Sequence, residues 1–169
     1  MKNEKNNFKG NYFLPELLTG STKKLISGSA KETQLIAAEF ARQILQRHNS
    51  SQAVVLALQG ELGTGKTTFL QGFAKGLGIT EKILSPTFVV MKRFELKRKN
   101  FKNFYHVDCY RLKSAKDLEV LGLKEIISNP ENIVAIEWSE KAQKILPKKS
   151  VRIKCRHLEK DKREFVIHG

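Results

Sequence analysis

Eight residues, Gly60-Glu61-Leu62-Gly63-Thr64-Gly65-Lys66-Thr67, satisfy the spacing G-x-x-x-x-G-K-[ST], and an apolar run, Val54-Val55-Leu56-Ala57-Leu58, leads into them. The chemistry that this spacing permits is capture of a polyphosphate. Gly60, Gly63 and Gly65 admit backbone torsions and close approaches that a Cβ obstructs, so successive amide N–H groups can turn inward on phosphate oxygens. Lys66 can reach the β- and γ-phosphates and the Thr67 hydroxyl can coordinate Mg²⁺, while the helix that follows, continued by Thr68, aims its positive end at the same charge. Residues 60–68 are therefore the expected nucleotide-contacting loop, between a strand and a helix as the motif requires.

A carboxylate is placed to complete such a site. Ile133-Val134-Ala135-Ile136-Glu137-Trp138 is an apolar strand ending in an acid, where nucleotide-binding α/β sheets put the group that works with Mg²⁺. Around these two segments the pattern predicts an α/β fold. It is a phosphate-loop NTPase-like, mixed and mainly parallel sheet flanked by helices, with antiparallel hairpins. A short strand at Lys24 to Ser27 precedes a helix opened by a capping box, Ser29 with Glu32, and running to about His48. Its expected core residues are Leu35, Ile36, Phe40, Ile44 and Leu45. The loop helix spans Lys66 to about Leu77, burying Phe69, Leu70, Phe73, Ala74 and Leu77, with Gly76 and Gly78 suited to ending it. Ser85-Pro86-Thr87 is a turn that opens into a strand over Phe88-Val89-Val90-Met91. The basic stretch 92–102 forms a hairpin tip, Phe104-Tyr105-His106-Val107-Asp108 returns, and a short helix covers Ser114 to Leu121. Val151, Ile153 and Cys155, then Phe165 and Ile167 across the charged turn Glu159 to Arg163, form a closing hairpin.

The 169 residues suit one phosphate-loop domain, 21–169, preceded by an Asn- and Lys-rich extension, 1–20. Thirty-one Lys and Arg against seventeen Asp and Glu leave a net charge of +14, which favours a polyanionic partner such as RNA. Cys109 and Cys155 match no metal-ligand spacing and suit reduced thiols. No signal peptide and no membrane-spanning run is expected, so the chain is expected to be cytoplasmic.

Five segments together resemble the TsaE family, the small bacterial ATPases of tRNA threonylcarbamoyladenosine formation. They are GELGTGKTT at 60–68, SPTF at 85–88, HVDCYRL at 106–112, LEVLGLKE at 118–125 and IEWSEKA at 136–142. The resemblance runs from about residue 25 to the end. It implies ATP and Mg²⁺ as ligands, TsaD-like and TsaB-like proteins as partners, and tRNA met through their complex, with nucleotide turnover resetting the assembly rather than transferring the threonylcarbamoyl group. Glu137 matches the family's acid after the apolar strand, so the metal ligands implied are Thr67 and Glu137. Asp108 matches the acid of the H-x-D-x-Y-R-L segment, where a carboxylate can orient or deprotonate the attacking water. A supporting place behind the metal ligands and a helix cap are its other readings. The catalytic set is then Lys66, Asp108 and Glu137.

Other residues keep two readings each. Thr87 is either a γ-phosphate sensor or a plain turn residue, and Trp138 a partner contact or a strand-end aromatic. His106 is expected to be structural. Arg111 is expected in an ion pair, with phosphate or tRNA as its other partners. Phe94, Phe101 and Phe104 suit base stacking and strand packing equally. Two rival functions are a small phosphate-loop kinase, for which no acceptor site or arginine-bearing lid is visible, and a nucleotide-switched RNA-binding adaptor without substantial hydrolysis.

Overall fold

A computed structural model describes residues 22–46, 51–112 and 116–169; the expected extension, 1–20, lies outside them. Seven strands form one mixed sheet. In chain order they are β1 (Thr22–Ser27), β2 (Val54–Gln59), β3 (Met91–Glu95), β4 (Asn103–Asp108), β5 (Asn132–Glu137), β6 (Val151–His157) and β7 (Arg163–His168). Their order across the sheet is β1-β7-β6-β2-β5-β4-β3. The pairs β6–β2, β2–β5 and β5–β4 are parallel, and β1–β7, β7–β6 and β4–β3 are antiparallel. Parallel pairing therefore builds the centre without dominating the sheet, because each hairpin adds an antiparallel edge.

The phosphate loop leaves the buried centre of this sheet and enters α2 (Lys66–Leu77), which packs beside α1 (Ala30–Leu45) on one face. Alternation along β2 and β5 serves both faces. Leu56, Leu58, Ile133 and Ala135 join Phe40, Phe69, Phe73, Phe104 and Phe165 under the two helices. Val55, Val134 and Ile136 join Leu118 of α3 (Lys116–Val120) and Leu123 and Ile127 of α4 (Leu123–Ser128) on the other. Such two-sided burial explains strands with no polar alternation.

The helix starts and stops follow local chemistry. Ser29 Oγ accepts from the Glu32 amide at 3.1 Å, while Glu32 Oε2 accepts from Gly28 N at 2.7 Å, one residue before the cap itself. The buried face of α1 holds Ile36, Phe40 and Ile44 together with Ala37 and Ala41, whereas Leu35 is half exposed and Leu45 partly buried. The helix ends at Leu45 with Gln46 as cap, and His48 lies outside the described residues. All five expected core residues of α2 are buried.

Two expectations fail on packing. Gly76 does not end α2: like Gly72 it lies in the seam with α1, where a Cβ would stand 2.3 Å from Ala38 O, and Gly78 supplies the left-handed cap. Phe88, Val89 and Val90 form no strand. They make a turn in which Val89 N and Val90 N both donate to Pro86 O, and β3 starts only at Met91. Of the two readings of Phe94, Phe101 and Phe104, strand packing holds: all three are buried in the core. Helix α4 had no counterpart in the sequence pattern, and the helix expected from Ser114 begins, within the described residues, at Lys116. Within the basic tip, Arg98 binds Leu77 O and so finishes α2.

Candidate functional site

The register of the parallel strands puts the acids beside the loop. Leu58 pairs with Glu137, and Asp108 pairs with Glu137, so the ends of β2, β5 and β4 form one row at the mouth of the loop. By alternation both carboxylates point to the face that carries α2. Thr67, in the first turn of α2, donates its hydroxyl between the two oxygens of Glu137, at 3.0 Å from each. Glu137 is 2% exposed and among the described residues it meets no Lys or Arg; its other partner is His106 Nε2 at 2.8 Å. His106 Nδ1, also buried, has no hydrogen-bond partner among the described residues. His106 is thus structural: it orients the carboxylate.

The loop itself is shaped by its glycines. Gly60 has φ +140°, and a Cβ there would stand 2.3 Å from Cys155 O of β6. Gly65 caps α2 with φ +95°. Glu61, Leu62 and Gly63 are exposed, while Thr64 is buried and donates to Glu61 O at 2.8 Å, bracing the turn. Thr68 is half buried in the first turn of α2. Lys66 is buried, its ammonium donating to Gly60 O at 2.7 Å and Glu61 O at 2.9 Å and lying 4.0 Å from the centre of the Trp138 ring.

Both oxygens of the Asp108 carboxylate are hydrogen-bonded. Oδ1 accepts from Tyr110 N at 2.8 Å, which holds the turn after β4, and Oδ2 accepts from the hydroxyls of Thr87, at 2.8 Å, and Ser85. The two hydroxyls are 2.8 Å apart. The segment 85–87 is thereby tied to β4, which makes Thr87 more than a plain turn residue. Sequence reasoning singled out Thr87 and passed over Ser85; a second hydroxyl two residues away was the available signal. Trp138 belongs to the site, half buried with φ +56°, its ring tilted 46° to that of Tyr110 at 5.0 Å and lying over Lys66. Arg111 makes no ion pair among the described residues; its guanidinium lies 4.2 Å from the Phe88 ring, whose plane offers the nearer attraction.

The donor set fits a magnesium ion bound together with phosphates. Thr67 and Glu137 offer hard oxygen ligands at one point, and among the described residues no three His, Cys, Asp or Glu side chains form a self-sufficient metal cage. A cation there would draw its remaining ligands from phosphate and water. Burial first, then the Asp108 charge, pushes the Cys109 thiol up to about 12. Burial, reinforced by Glu137 and opposed by Lys66, does the same to Cys155, also to about 12. Both are free thiols.

The family model of the threonylcarbamoyl adenosine biosynthesis protein TsaE matches residues 27–165. The tRNA threonylcarbamoyladenosine biosynthesis protein TsaE of Haemophilus influenzae is 34% identical over 129 residues, which cover 72% of this chain and 79% of that protein. That of Treponema pallidum is 33% identical over 144 residues, covering 85% and 98%. The crystal structure of Bacillus subtilis YdiB superposes with a TM-score of 0.68 at 30% identity, covering 87% of this chain and 84% of that one.

Proposed function

This chain belongs to the TsaE family, and from that premise we propose that it binds and hydrolyses Mg-ATP to sustain repeated rounds of tRNA threonylcarbamoyladenosine formation by TsaB-like and TsaD-like partners in the cytoplasm. The observation that carries the reading is the Thr67 hydroxyl shared between both oxygens of the buried Glu137, at the mouth of a phosphate loop. Amides of residues 63–68 would hold the β- and γ-phosphates, and Lys66 would move its ammonium from loop carbonyls to phosphate oxygens. Thr67 and Glu137 would hold the magnesium ion, which supplies charge neutralisation at the transferring phosphoryl group. Asp108, aimed by Ser85, Thr87 and the Tyr110 amide, would orient the attacking water. His106 keeps Glu137 in place.

The same contacts offer a route from hydrolysis to partners. Ser85 and Thr87 share a loop with Phe88 and Val89, which are 83% and 67% exposed. A γ-phosphate competing for the Thr87 hydroxyl would shift that loop, so the nucleotide state would be read out at an apolar surface. Among the described residues no helix is long and apolar enough to cross a membrane.

The test is reconstitution of tRNA modification with the two partners, comparing this chain with its Lys66→Ala and Glu137→Ala variants. Both variants are expected to lose multi-turnover modification. Full activity in Lys66→Ala refutes the mechanism, and wild-type turnover without phosphate release would favour a pure nucleotide switch.

A further inference from the structure

The strands β1, β7 and β6 close one edge of the sheet, and their two faces differ. Ile153, Cys155, Phe165 and Ile167 point into the core under α1 and α2. The alternate residues of β6, Arg152, Lys154 and Arg156, point the other way and are all exposed, as on a sheet with one solvated face. On β2 that face is closed, because Val55 packs with Ala142.

Alternation places the three cations in one line, about 7 Å apart along the strand. The register adds a fourth: Lys24 of β1 stands across Val166 from Lys154. Glu164 is the single acid in the three strands. It is buried and already met by Lys24 at 2.5 Å and by Arg156 at 3.8 Å. Among the described residues no carboxylate pairs with Arg152 or Lys154. The basic stretch 92–102 is less free: Lys92 pairs with Glu81, Arg93 donates to Asn103 Oδ1 and Arg98 to Leu77 O.

We propose that the outer face of β6, with Lys24 beside it, is a contact surface for the phosphate backbone of RNA. A polymer that repeats one negative charge per residue complements a straight row of cations on a strand, and binding releases its counterions. The surface holds charge and no Phe, Tyr or Trp ring, since Phe165 is turned into the core. It therefore positions RNA without reading its sequence. The choice of RNA rests on the tRNA reading above; the row of cations stands without it.

The test is titration of a fluorescently labelled tRNA transcript with the full chain, without nucleotide, over a range of salt. The variants are Arg152→Gln with Lys154→Gln on the sheet face and Lys97→Gln with Lys99→Gln on the hairpin tip. All four side chains are exposed, and Lys24 and Arg156 stay to keep Glu164 paired. The sheet-face variant is expected to bind about tenfold more weakly, with the slope of log affinity against log salt smaller by about 1.5. It should hydrolyse ATP at the wild-type rate, and the tip variant should bind tRNA as the wild type does. Arg152→Lys, which keeps the charge, should also keep the affinity. Undiminished affinity and slope in the sheet-face variant overturn the proposal, as does a wild type that binds no tRNA at low salt. An equal loss in the tip variant overturns it too, because net charge alone would then hold the RNA. Undiminished tRNA binding joined to lost modification with the two partners would assign the face to an acidic protein instead. Binding is read on the chain alone, so its outcome is separate from that of the Lys66→Ala reconstitution.

Discussion

Glu137→Gln isolates the charge of the site from its shape. The carboxylate is 2% exposed and hydrogen-bonds Thr67 and His106; a glutamine of the same outline keeps an oxygen for one partner and offers an amide to the other. Among the described residues no Lys or Arg pairs with Glu137, so a glutamine that keeps both contacts should leave the fold intact. The effect on hydrolysis differs. A unit positive charge close to a carboxylate is held by about 4 kcal/mol at an effective dielectric of ~20. Part of that is offset by lost hydration of the ion, which leaves on the order of 3 kcal/mol, or roughly 100-fold in rate. The assay is phosphate release at saturating ATP over a magnesium titration, beside urea denaturation of the chain without nucleotide. Wild-type hydrolysis by Glu137→Gln would refute the assignment of the acid, and loss of fold would show that the carboxylate is needed for structure.

Gly72→Ala tests the helix seam: a helical alanine gains about 1 kcal/mol in propensity, but its Cβ would stand 2.2 Å from Gln34 O, so urea denaturation should show a net loss on the order of 2 kcal/mol. A stabilised variant would contradict the packing. Trp138 is the single tryptophan and lies 4.0 Å from the Lys66 ammonium, so ATP should change the intrinsic fluorescence of the wild type and leave that of Lys66→Ala unchanged. Cys109 and Cys155 have thiol pKa values raised from 9.0 to about 12; the folded state therefore holds its protons where the unfolded chain releases them. Their contribution to stability is complete below about pH 9 and is lost as pH rises towards 12, to be checked by denaturation across that range. At pH 8 only roughly one thiol in 10⁴ is ionised, so a disulfide reagent should titrate both cysteines only after unfolding.

Much of the site is written locally. The spacing of Gly60, Gly63, Gly65, Lys66 and Thr67 states which torsions and which donors the loop needs, and a run of apolar residues closed by Glu137 states a buried strand with an acid at its end. An unbroken apolar run marks β2 and β5, which are buried on both faces, and a period of 3.6 residues marks α2, because burial on a helix repeats at the period of its backbone. Tertiary structure decided the rest, since it turns on which segments become neighbours. Phe88-Val89-Val90 reads as a strand by composition, yet hydrogen bonds to Pro86 O close it into an exposed turn. Gly76 reads as a helix stop until α1 is seen pressed against it. The pairing of Asp108 with Glu137 and the clasp of Ser85 and Thr87 on Asp108 join residues far apart in the chain. They follow from strand order and register, which no local pattern encodes.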